Sequence, residues 1–160
     1  MMATGDVAHR LDSLAARSDG DYIHIEIGQC FGKCEATMSL YRDSPAHYYI
    51  YEAEGWRFNE QQREFLLYRL RRPVGSDDAN AILDEASKVG ISRLVDDSTR
   101  AVTDQPLFWL RARIADRTIV INGAYIGGEK YVKKMDGDGG QLTKVFYDVK
   151  AALFRLLNQL

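Results

Sequence analysis

Residues 21–28 (DYIHIEIG) and 35–42 (EATMSLYR) alternate apolar and polar side chains with a period of two, and only a few residues separate them. Period two is the signature of a strand, because successive side chains point to opposite faces. Ile23, Ile25 and Ile27 fall on one face of the first run, with Tyr22, His24 and Glu26 on the other. Ala36, Met38 and Leu40 share a face of the second. Gly32 sits in the short connection, so the runs are expected to form a hairpin with one face buried. Asp43-Ser44-Pro45 marks the next turn, and 46–53 (AHYYIYEA) is expected to be a third strand. Strands joined by short turns pair antiparallel, here as a meander.

The rest of the chain adds helices and a second hairpin. Val7, Leu11, Leu14 and Ala15 recur at three- and four-residue spacing, which predicts a short helix over 6–17 ended by Gly20. Asn59 is a candidate N-cap, and Phe65, Leu66 and Leu70 carry helical spacing until Pro73, so a helix is expected there. Asp77 or Asp78 opens another helix, with Ala79, Ile82, Leu83 and Ala86 on one face and Gly90 at its end. Residues 91–105 are polar and irregular. Residues 107–115 and 117–125 predict a hairpin turning at Asp116, in which Leu110, Ala112 and Ile114 oppose Arg111 and Arg113. Over 141–160, Leu142, Val145, Phe146, Val149, Leu153, Leu156 and Leu160 form a stripe, which predicts a long amphipathic helix lying on the sheet. The expected fold is a single α+β domain over 1–160: an antiparallel meander sheet packed by helices, including that long C-terminal helix.

Composition narrows the partners. A chain of 160 residues buries roughly 70% of its unfolded surface and needs no staples. Its 21 basic and 23 acidic residues give a net charge of −2, which argues against nucleic acid and against an anionic membrane surface. Asp6, His9, Arg10 and Asp12 break any apolar run near the start, so no secretory signal is read and a cytoplasmic location is expected.

Few residues suggest chemistry. Cys30 and Cys34 flank Phe31-Gly32-Lys33 in a Cys-x-x-x-Cys spacing, without the βαβ surroundings of thioredoxin-like motifs. They are two small buried thiols at a turn, a disulfide across the hairpin, or a redox pair with Lys33 as the nearby cation. His9, His24 and His47 lack partners that would mark a nucleophile triad. Asp136-Gly137-Asp138 begins like a calcium loop, but Tyr147 stands at loop position twelve, where glutamate is required. Gly127-Gly128-Glu129-Lys130 does not make a phosphate loop. No metal and no cofactor are expected.

The same cysteine segment resembles a bacterial domain family of unknown function marked by Cys-x-Gly-x-Cys-Pro-x-Tyr. Cys30, Gly32 and Cys34 match, while Glu35 stands where the family has Pro and Thr37 where it has Tyr. Val102-Thr103-Asp104-Gln105-Pro106 before a strand resembles the family's Asp-containing stretch. The resemblance spans 22–122. Members are often predicted lipoproteins, and no lipoprotein signal is read here. The resemblance implies a fold and no activity.

Two surface features point to protein contact. Tyr49 and Tyr51 share a strand face near Trp56, either as an interface or as cover beneath a helix. Residues 77–104 hold seven acidic side chains, among them Asp96, Asp97 and Asp104, against three basic ones. Residues 57–72 hold five arginines against two glutamates. The expectation is a non-catalytic protein-binding module using Tyr49, Tyr51, Trp56, Asp96, Asp97 and Asp104, in the form of an immunity-type inhibitor docking a basic bacterial toxin by charge. The alternative is a thiol redox or other enzyme using Cys30 and Cys34.

Overall fold

A computed structural model describes residues 4–28, 35–43, 48–88, 107–125 and Arg155. The first helix, α1 (Thr4–Arg17), is followed by β1 (Tyr22–Gly28), β2 (Ala36–Arg42), β3 (Tyr49–Asn59) and β4 (Glu64–Val74). Then come α2 (Ser76–Lys88), β5 (Leu107–Ile114) and β6 (Arg117–Tyr125). All six strands form one antiparallel sheet in the order β4-β3-β2-β1-β5-β6. The meander holds for the first four strands. β5 then joins the free edge of β1, so the second hairpin extends the same sheet. No described helix is long and apolar enough to cross a membrane.

The register sorts side chains between two layers. Ile23, Ile25, Met38, Leu40, Tyr51, Phe108, Leu110, Ala112 and Ile121 line one face and pack with Ala79, Ile82, Leu83 and Ala86 of α2. These four are the helix positions that the spacing predicts. The opposite face meets α1: Val7 and Leu11 pack on Trp109, and Ala15 on Tyr22, Tyr41 and Ile50. β1 is therefore buried on both faces, where the alternation predicts one. Tyr22, His24 and Glu26 are covered because α1 lies over them.

The long C-terminal helix expected over 141–160 lies outside the described residues. Among the described residues, two short helices, α1 and α2, cover opposite faces of one six-stranded sheet and there is no long C-terminal helix, which corrects the expected sheet packed by helices that include one.

The expected helix from Asn59 to Pro73 is also overturned: this stretch is a turn and the edge strand β4. The Asn59 side chain accepts a hydrogen bond from the Gln62 amide at 2.9 Å. That bond would cap a helix, but here it closes a turn, since Asn serves both motifs. Arg63, with φ 52°, completes the reversal. What settles the strand is pairing with β3, which is distant information. Glu54 and Glu52 lie opposite Arg69 and Arg71, Phe58 lies opposite Phe65, and Gly55 lies opposite Tyr68. A Cβ on Gly55 would come within 3.2 Å of the Tyr68 ring, so the glycine lets that ring lie across β3. Pro73 is accommodated because β4 is an edge strand.

At the far edge, Ala115 and Asp116 turn the β5–β6 hairpin with φ of 51° and 65°. Two consecutive positive φ values define the type I′ turn, whose twist matches a two-residue hairpin.

These placements predict unequal responses to the same truncation. Leu110→Ala, at a fully buried site, should lower unfolding free energy by about 3 kcal/mol in urea titration. Leu66→Ala, on the exposed β4, should lower it by less than about 1 kcal/mol.

Candidate functional site

Two regions hold polar or apolar side chains in unusual settings: the seam between α1 and the sheet, and the β3–β4 arm.

The seam is built on His24, which is fully buried on β1. Its Nε2 lies 2.9 Å from Ser18 Oγ, and its Nδ1 lies 2.9 Å from Ser39 Oγ on β2. The tautomer follows from the partners. Ser18 Oγ donates its one proton to the Leu14 carbonyl at 2.7 Å, and a carbonyl can only accept. Ser18 must therefore accept from Nε2–H, which leaves Nδ1 to accept from Ser39. The Ser18 proton points away from the imidazole, so His24 does not activate Ser18 as a nucleophile. Tyr22 and Tyr41 flank the ring, each with its centroid 5.2 Å away. Burial, reinforced by the charge of Arg17, pushes His24 down to about 3 and keeps it neutral.

The other seam groups are held by charge. Arg111, on β5, is buried. Its Nε donates to Asp12 of α1 at 2.6 Å, Nη2 to Asn122 at 2.7 Å, and Nη1 to the Leu110 and Ile121 carbonyls at 3.0 and 3.2 Å. The alternation opposes Arg111 to the apolar face, which is correct, but that second face is covered rather than wet. Arg10 of α1 pairs with Glu26 of β1. Burial pushes the Tyr41 phenol up, and Glu52, which accepts its hydrogen bond at 3.1 Å, adds to the shift. Two ion pairs and the serine–histidine–serine chain thus fix α1 on the sheet.

Beside the seam lies an open groove of about 390 Å³, lined by Thr37, Glu52, Ala53, Glu54, Arg69, Leu70 and Arg71. Arg69 Nε donates to Glu54 at 3.1 Å, and Arg71 Nε donates to Glu52 at 2.9 Å. The charges satisfy one another across the strands. Among the described residues, no group of three or more His, Cys, Asp or Glu is placed to hold a metal ion.

The arm is the part of the β3–β4 hairpin that outruns the sheet. β2 follows β3 only to the Ala36–Gly55 pair. From Trp56 onward, β4 is the only described strand beside β3. Seven large apolar side chains are exposed among the described residues, and four lie here, Phe58, Phe65, Leu66 and Leu67, with Leu70 just below them opposite Ala53. Phe58 and Phe65, 53% and 49% exposed, meet edge to face with centroids 5.3 Å apart. On the opposite face the Arg57 guanidinium lies 4.1 Å from the Tyr68 ring centroid.

The structure separates the residues that the sequence groups. Tyr49 and Tyr51 are buried in the core with α2, and the Tyr49 hydroxyl reaches Asn80 of α2 at 3.5 Å. This is the placement of tyrosine as cover beneath a helix. Trp56 is half-buried at the base of the arm. Asp96, Asp97, Asp104, Cys30, Cys34 and His47 lie outside the described residues. His9 is exposed on α1. The sequence reading misses the apolar arm because it takes those residues as one face of a helix.

The seam predicts a pH dependence. The imidazole is neutral when folded down to pH of about 3 and takes a proton when unfolded at any pH below about 6.5. The unfolded state binds the extra proton in that window, so stability falls as pH drops through it and is unaffected above it. By pH 5 the loss should reach about 2 kcal/mol in denaturant titrations, and it should be absent in His24→Gln. An equal loss in both proteins would reject the assignment.

A scan of protein-family models finds no match to this chain, and a search of curated proteins finds none.

Proposed function

We propose that the chain is a non-catalytic protein-binding module that meets its partner through the β3–β4 arm. One observation carries the reading: the exposed large apolar side chains of the described residues concentrate on this arm, beyond the sheet that could have buried them. A local cluster of exposed aromatic and aliphatic groups with arginines around it has the composition of an interface centre and rim. The hydrogen-bond directions at Ser18 and His24 favour the same reading, because the Ser18–His24 contact is committed to holding α1 in place and Ser39, the other serine on His24, is buried.

The arm itself balances Arg57 and Arg63 against Glu60 and Glu64, and below it Arg69 and Arg71 pair with Glu54 and Glu52. Its apolar side chains therefore define the partner, which would offer them a complementary apolar site. The acidic Asp77, Asp78, Asp84 and Glu85 are exposed on α2 rather than on the arm. An immunity-type inhibitor is one form of this reading, with the target then engaged by the arm and not by the acidic stretch.

Photo-crosslinking in the native host tests the surface. A crosslinking amino acid at Phe65 should yield a discrete adduct with another protein, and the same group at Val120, exposed on β6, should not. Phe58→Ser with Phe65→Ser should weaken recovery of that partner about 30-fold or more and change stability by less than about 1 kcal/mol. Equal crosslinking at Phe65 and Val120 would reject the arm as the contact element.

A further inference from the structure

We infer that β4 is a self-pairing edge, through which two copies of this chain join their sheets antiparallel about a two-fold axis at Tyr68. β4 ends the sheet, so its outer backbone edge faces no described strand. It runs for 11 residues, and nearly all its side chains are exposed. A long open edge of this kind is a template for another strand.

The sequence of β4 selects both the partner and the register. A two-fold axis normal to the sheet keeps every side chain on its own face. Opposed residues must therefore belong to the same face, so their numbers sum to an even value. Centring on Tyr68 places Glu64 against Arg72 of the second copy at both ends, and Leu66 against Leu70 between them. Opposite charges and apolar pairs directly across strands are the favourable combinations. Shifting the centre to Leu67 shortens the paired span to 64–70 and sets Glu64 against Leu70, and shifting it to Arg69 sets that arginine against itself. Among these registers, the Tyr68 centre alone sets opposite charges against each other.

Arginine and proline are the usual means of blunting an edge, and β4 contains both. Here Arg69 and Arg71 are engaged with Glu54 and Glu52 within the sheet. Pro73 falls just beyond the 64–72 span. The inference uses the edge of β4 and not its faces, so it stands independently of the protein partner proposed above. An edge contact buries less than a standard stable interface, so dissociation is expected at roughly 10 μM or above.

Sedimentation equilibrium tests it. The wild-type chain should show a monomer–dimer equilibrium. Glu64→Arg and Arg72→Glu should each weaken it about tenfold, since each turns two symmetric attractions into repulsions. The double variant Glu64→Arg/Arg72→Glu should restore the wild-type constant to within about threefold, because the pair is exchanged and not removed. Both side chains are exposed, and circular dichroism checks that each variant is folded. A wild-type chain monomeric up to about 1 mM overturns the inference. So does a dimer indifferent to the single exchanges, or a double variant no tighter than the singles.

Discussion

The position of β1 governs this structure. β1 pairs with β2 on one side and β5 on the other, and both of its faces are covered. Its isoleucine face needs only apolar neighbours. Its other face carries Tyr22, His24 and Glu26, and the buried polar atoms of His24 and Glu26 require partners. α1 and the residue after it supply these, together with Ser39 of β2. Ser18, just after the helix, accepts a hydrogen bond from the His24 Nε2–H, Arg10 meets Glu26, and Asp12 meets Arg111. The helix is thus fixed by chemistry as well as by Val7 and Leu11 against Trp109. The chain after α1 is held in turn by the Asp19 amide on the Arg42 carbonyl at 2.8 Å and by Gly20 at φ 73°.

That arrangement uses the described covering elements at the centre of the sheet, with no described strand on the outer edge of β4. β3 and β4 run past the reach of β2, so their outer halves gain cross-strand contacts but no layer from the described helices. The ion pairs of Glu52 and Glu54 with Arg71 and Arg69 hold the base of the hairpin, while Phe58 and Phe65 stay in solvent. Exposure of these side chains is therefore a result of topology. It is also the feature on which the proposed contact surface rests.

Much of the described fold is legible in the sequence. Period two marks β1, β2, β5 and β6, and helical spacing marks α1 and α2, because each of these elements has at least one apolar side buried by the core. β4 is illegible for the opposite reason. With both faces exposed, Phe65, Leu66, Leu67 and Leu70 are not forced into alternation, and leucine and arginine favour helices. Asn59 is ambiguous because the same side-chain bond serves a cap and a turn. The seam is illegible because His24 and Arg111 occupy positions that look solvated along their own strands. Only the return of α1 over that face buries them, and no local pattern encodes it. The apolar arm becomes visible once β4 is known to be a strand.

The central claim is that α1 seals a hydrogen-bonded polar layer onto β1 with His24 neutral within it. The most direct measurement is the nitrogen-15 spectrum of the His24 imidazole in the folded protein at pH 5. The account predicts a neutral ring with the proton on Nε2 and an unprotonated Nδ1. A doubly protonated ring at that pH, or a neutral ring with its proton on Nδ1, would contradict it.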